Sequence, residues 1–177
     1  MLSQGLALVL LVTLCVTPAA FAIQVRVEVK YTDGNGKPDE WRFYEAETVV
    51  RVERDRDGDG RREVVIYFEN GKPVRSEVDR NQDGKPDVVI WMKNGKHQRQ
   101  LADTNLDGAP DAWIYFKDGT KDLMIMDKNH DGKPDAWFYY GSGGQKIVGG
   151  VVDENFDGKP DRRFGTVPEN DNRGAFP

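Results

Sequence analysis

The sequence predicts an all-β protein: a repetitive antiparallel β-hairpin meander of about 12 strands, coiled or folded over, with acidic loops along one edge. Three observations carry that reading. A nine-residue acidic loop recurs about every 24 residues, a strand-like apolar run follows each loop, and a turn pair that demands positive φ folds most of these runs into hairpins.

At the N-terminus, Leu6 to Val16 is an apolar run of secretory-leader length, followed by the small-x-small cleavage site Ala20-Phe21-Ala22. Residues 1–22 therefore read as a signal peptide, although Met1 to Gly5 lacks the usual Lys or Arg. The run falls short of the ~20 residues that cross a bilayer comfortably. Cys15, the single cysteine, lies inside the leader behind Leu14, too large a residue for a lipoprotein site. The mature chain is thus expected to begin at Ile23, to be secreted (periplasmic or extracellular), and to hold no thiol, disulfide or membrane span. N-terminal sequencing of the exported protein should start at Ile23; intact Met1 in a membrane fraction would contradict the leader.

Residues 23–164 form the repeat domain, and 165–177 lack strand periodicity and read as a C-terminal tail. A formal charge of −5 with pI near 5.1 argues against a nucleic-acid partner. High charge and modest aliphatic content resemble a disordered chain, but aromatics make up 10% and the charge is periodic.

The loops are Asp55-Arg-Asp-Gly-Asp-Gly-Arg-Arg-Glu63, Asp79-Arg-Asn-Gln-Asp-Gly-Lys-Pro-Asp87, Asp103-Thr-Asn-Leu-Asp-Gly-Ala-Pro-Asp111, Asp127-Lys-Asn-His-Asp-Gly-Lys-Pro-Asp135 and Asp153-Glu-Asn-Phe-Asp-Gly-Lys-Pro-Asp161. Their starts lie 24, 24, 24 and 26 residues apart. One period earlier stands a weaker first copy, Tyr31-Thr-Asp-Gly-Asn-Gly-Lys-Pro-Asp39.

Between loops, runs such as Val88 to Met92 and Ala112 to Phe116 read as first strands. The pairs Asn70-Gly71, Asn94-Gly95 and Asp118-Gly119 read as tight hairpin turns. The two extra residues of the fifth repeat fall at Gly141 to Gly144, in a turn, where insertion costs least. Register places Trp41, Val65, Val89, Trp113 and Trp137 in one column. Phe43, Tyr67, Trp91, Tyr115 and Tyr139 form another on the same face, and Ile66, Ile90, Ile114 and Phe138 lie opposite. First strands apolar on both faces need cover on both.

Calcium takes six to eight oxygens from carboxylates and carbonyls, and a loop supplies them by alternation. Positions 1, 3 and 5 point inward, glycine at 6 makes the sharp turn, position 7 offers its carbonyl, and an acid at 9 closes the shell. The expected ligands are Asp55, Asp57, Asp59, Arg61 and Glu63 in the second loop, and Asp79, Asn81, Asp83, Lys85 and Asp87 in the third. Asp103, Asn105, Asp107, Ala109 and Asp111 follow in the fourth, Asp127, Asn129, Asp131, Lys133 and Asp135 in the fifth, and Asp153, Asn155, Asp157, Lys159 and Asp161 in the sixth. The first copy, with Asp33, Asn35 and Asp39 but Tyr31 at position 1, is expected to bind weakly or not at all. The expected cofactor is Ca²⁺, about five ions and a sixth if the first loop binds. Asp, Asn, Gly and Pro are also ordinary turn formers; turn chemistry alone would let the acidic positions drift, and here they do not. Zinc and copper lack ligands in a chain without mature cysteine and with two histidines, of which His130 is expected to face solvent.

The D-x-[DN]-x-D-G-x-x-D core resembles the calcium loops of EF-hand, dockerin, thrombospondin type 3 and FG-GAP/VCBS repeats. An EF-hand's glutamate at position 12 is replaced here by Arg42, Ile66, Ile90, Ile114, Phe138 and Phe164. Thrombospondin type 3 repeats are cysteine-rich, and a propeller blade needs four strands where 24 residues hold two. The strand part, as in Trp113-Ile-Tyr-Phe-Lys-Asp-Gly119, is similar to MORN-variant hairpin repeats.

These readings point to a non-enzymatic structural or adhesive module rigidified by calcium. The alternative is a calcium-stabilised scaffold binding a carbohydrate or protein through an aromatic face. Partners on either reading are calcium and an extracellular protein, a glycan or another copy of the chain. No G-x-S-x-G, H-E-x-x-H, phosphate loop or cysteine nucleophile favours an enzyme.

Overall fold

A computed structural model describes residues 8–12 and 25–169. The rest of the expected leader and the tail beyond 169 lie outside the described residues. The chain divides into two compact units, 1–84 and 85–177. The first unit holds β1 (Leu8–Val12), β2 (Val25–Lys30), β3 (Glu40–Glu45), β4 (Thr48–Arg54), β5 (Val64–Glu69) and β6 (Lys72–Val78). The second holds β7 (Val88–Lys93), β8 (Lys96–Ala102), β9 (Ala112–Lys117), β10 (Thr120–Met126), β11 (Ala136–Tyr140), β12 (Ile147–Val152) and β13 (Arg162–Gly165). The expected twelve strands are β2 to β13; β1, inside the leader segment, pairs antiparallel with β2. Within each unit every strand pairs antiparallel with its sequence neighbours, so among the described residues neither meander closes into a barrel.

The turn chemistry decides the hairpins. Asn70 and Gly71 have φ of 49° and 71°, Asn94 and Gly95 52° and 74°, Asp118 and Gly119 54° and 88°. Both central residues are left-handed, which matches the turn twist to that of the strands. Each hairpin then breaks register at the same place on its second strand. Arg51 pairs with Phe43 but Val49 with Tyr44, and the equivalent skips fall at Val74, Gln98, Asp122 and Val148. Such bulges add local twist, and their recurrence gives every hairpin the same bend.

Cover for the two faces comes partly from side chains rather than from a second layer. In the first unit, one row reads Phe43, Arg51, Tyr67, Arg75 and its neighbour Trp41, Glu53, Val65, Glu77. Arg51 lies 4.0 Å over the Phe43 ring and Arg62 4.2 Å over Trp41. Their charges are met by Glu53, which pairs with both. Guanidinium planks over aromatic rings contribute about 0.5–1 kcal/mol each at exposed sites and shield the rings with their stems. In the second unit Arg99 still lies 4.3 Å over Trp91, but beyond it the same face turns apolar. Leu123 is completely buried and, with Ile125 and Tyr139, packs against Trp113, Tyr115, Trp137 and Val167. Val167 arrives because the chain past β13 folds back, with Thr166 donating to the Val148 carbonyl at 2.9 Å. That approach requires Gly149, since a Cβ there would sit 2.1 Å from the Thr166 carbonyl oxygen.

Candidate metal centre

The loops sit at one end of the hairpins, and backbone hydrogen bonds define their base. The position-9 amide donates to the residue before position 1: Asp39 to Lys30, Asp111 to Ala102, Asp135 to Met126 and Asp161 to Val152, at 2.7–3.0 Å. The position-1 amide donates to the position-9 carbonyl of the preceding loop. Asp55 bonds Asp39 and Asp79 bonds Glu63 in the first unit; Asp103 bonds Asp87, Asp127 bonds Asp111 and Asp153 bonds Asp135 in the second. The two ends of neighbouring loops are therefore tied directly together.

Inside each loop the polar side chains hold the backbone in a repeated pattern. In the fourth, Asp103 accepts the amides of Leu106 at 2.7 Å and Gly108 at 2.7 Å, one on each carboxylate oxygen. The Asn105 amide oxygen accepts Asp107 N–H, and Asp107 accepts Ala109 N–H. Asp111 accepts Thr104 and Asn105 N–H on Oδ2. The sixth loop repeats this through Asp153, Asn155, Asp157 and Asp161, and the fifth largely through Asp127, Asn129, Asp131 and Asp135. The first has Asp33, Asn35 and Asp39 in the same roles. The unit boundary falls inside the third loop. On its first side Asp79 accepts Gly84 N–H and Asn81 accepts Asp83 N–H; on the other, Asp87 is buried.

This scheme requires positive φ at positions 4 and 6. Position 6 is always glycine, whereas position 4 passes from Gly34 and Gly58 to Gln82, Leu106, His130 and Phe156, the last four at φ 58–62°. His130 is exposed, as expected from its position, and its Nδ1 also lies 3.4 Å from Asp111 Oδ2 of the preceding loop. Residues not singled out from the sequence also take part: the Thr32 and Thr104 hydroxyls, at position 2, donate to Asp39 and Asp111 at 2.9 Å. A hydroxyl at position 2 in two copies was the available signal.

Only the second loop, among the described residues, brings several acids together. Asp55, Asp57, Asp59 and Glu63 each place a carboxylate oxygen within 4.8 Å of the others. Glu63 is the one glutamate at position 9, and its extra methylene lets Oε2 take the Arg56 amide while Oε1 stays buried without a hydrogen bond. The other buried carboxylate oxygens lacking a partner, Asp39 Oδ1 and Asp79 Oδ1, also stand at positions 9 and 1. The third to sixth loops have Asn at position 3, and the first has Tyr31 at position 1 and Asn35 at position 5; among the described residues none of them brings three carboxylates this close. Electrostatics follow the backbone. The Arg61 amide, then Gln82, hold Asp59 below the usual carboxylate range. The Asn105 amide group and then the Ala109 N–H do so for Asp107. At Asp39 burial pushes upward but is outweighed by the N–H groups of Asp33 and Thr32. Asp55, Asp103, Asp127, Asp135 and Asp153 are each at most 5% exposed, and no Lys, Arg or His among the described residues forms an ion pair with them.

Comparison with known proteins adds little. No protein-family model matches the chain, and no curated protein matches it. The crystal structure of accessory secretory protein 1, 2 and 3 in Streptococcus pneumoniae is similar over 59% of this chain and 19% of its own, at 17% identity and a TM-score of 0.41. TarM is similar over 59% of this chain and 18% of its own, at 11% identity and a TM-score of 0.26. The chain thus spans under a fifth of either structure.

Proposed function

We propose that this chain is a secreted calcium-binding repeat protein, a non-enzymatic structural or adhesive module that Ca²⁺ rigidifies. The observation that carries the reading is the second loop, where four carboxylates converge within 4.8 Å around a buried, partnerless Glu63 oxygen. Burying charge is costly unless it is paired or coordinates metal; a divalent ion would supply the missing partner. The remaining loops support the same chemistry more weakly, through Asp103, Asp127, Asp135 and Asp153, which are buried and form no ion pair among the described residues. Most acids in these loops also cap backbone amides, which gathers their remaining oxygens at one place. Hard oxygen donors without sulfur, and a flexible shell, suit calcium better than magnesium or zinc.

The second loop should be the tightest site, since affinity rises with ligand charge. Calorimetric titration with calcium should show one class of site tighter than the rest, lost in Asp57→Asn/Asp59→Asn, a pair that retains the acceptors for the Asp59 and Arg61 amides. An unchanged titration in that variant would remove the second loop from the account.

A further inference from the structure

We propose that the cleft between the fifth and sixth loops is a binding site for a single saccharide ring. The neighbouring loops are tied by side chains at other junctions. Lys37 reaches the Gly58 carbonyl at 3.1 Å, Arg61 the Gln82 side chain at 2.8 Å, and His130 approaches Asp111. Between the fifth and sixth loops the only hydrogen bond, among the described residues, is from the Asp153 amide to the Asp135 carbonyl. Phe156 stands where His130 stands one repeat earlier, and a phenyl ring cannot make that polar contact.

What remains is a cleft of about 260 Å³ with Trp137, Phe156, Pro134 and Pro160 as walls and Asp131 and Asp157 among its polar groups. Drug-sized ligands occupy ~300–1,000 Å³, so this volume suits one ring. Phe156 is 42% exposed and held at φ 62°, a conformation that disfavours a Cβ and that the first two copies give to glycine. Neither packing nor backbone preference places an aromatic ring there. Two aromatic rings and two prolines offer flat apolar surface to the C–H face of a pyranose, and carboxylates accept hydrogen bonds from its hydroxyls.

The proposal rests on the calcium reading. Asp131, Asp135, Asp153 and Asp157 against Lys133 leave the bare cleft at −3, which favours an organic cation; calcium in both loops brings it to +1, which removes that preference and leaves room for an uncharged ligand.

Saturation-transfer NMR with the methyl glycosides of glucose, galactose and mannose, and with N-acetylglucosamine, tests it on the exported protein at millimolar concentrations in calcium. Transfer to at least one sugar is expected, with affinity falling tenfold or more in Phe156→Gly and unchanged in Leu106→Gly, the equivalent substitution two loops away. Melting in calcium checks that both variants fold. No transfer to any sugar while metal analysis finds bound calcium would overturn the cleft alone. Transfer undiminished in Phe156→Gly, or binding of tetramethylammonium in place of sugar, would overturn it too. Absence of bound calcium would overturn both readings together.

Discussion

In EDTA the protein is expected to melt at a steeply lower temperature, or to be unfolded at room temperature, and millimolar calcium should restore it. Magnesium at the same concentration should rescue poorly. The ligand positions carry 18 of the chain's 30 acidic side chains. In the second loop four of them lie within 4.8 Å of one another. Neighbouring loops are two strands apart, roughly 10 Å from the strand spacing, which is close to a Debye length at 0.1 M salt. Their ends are joined by amide–carbonyl bonds of 2.7–3.1 Å, so strain from repulsion in one loop is passed to the next. Five Ca²⁺ ions would take the formal charge from −5 to +5. Binding to the folded state alone stabilises by about 2.7 kcal/mol per site at a hundredfold excess over Kd. A few such sites match the ~5–15 kcal/mol that holds a typical domain. Identical melting in EDTA and in calcium would mean that the Asp and Asn side chains serve only as caps for loop amides.

Replacing Leu123 with Ala should cost about 2–5 kcal/mol, enough to lower the melting temperature in calcium by about 10 °C or more for a unit of this size. Leu123 is wholly buried at the centre of the cluster that, among the described residues, joins β9, β10 and β11 to Val167. Its removal leaves Ile125, Tyr139 and Trp113 around a cavity, and a single-layer sheet has no second layer to collapse into it. Leu106→Ala, at an exposed loop position, should change stability by less than about 0.5 kcal/mol. Equal effects of the two substitutions would show that the Leu123 cluster is not the core of the second unit.

Much of this was legible in the residues because the determinants are local. Asn70-Gly71, Asn94-Gly95 and Asp118-Gly119 demand positive φ at both positions, and the structure has it. The strand columns follow from period-two alternation, and the paired register places Trp113 beside Ile125 and Tyr115 beside Leu123. The bulges escaped, although the first four hairpins carry six-residue first strands and seven-residue second strands, an inequality that itself implies a skipped pair. The cover over the aromatic columns was also missed. It comes from Arg51 and Arg62, charged residues whose guanidinium planes lie on rings. In the loops, position and residue type were readable, but not that most of the acids would cap specific amides. That depends on left-handed backbone at position 4, where Gln82, Leu106, His130 and Phe156 give no sequence signal for it.

Elemental analysis of the exported protein, dialysed against metal-free buffer after calcium loading, tests calcium binding most directly. The account predicts about five calcium ions per chain, falling by about one when Asp103 and Asp107 are both changed to Ala. One ion or none in the unmodified protein would contradict it.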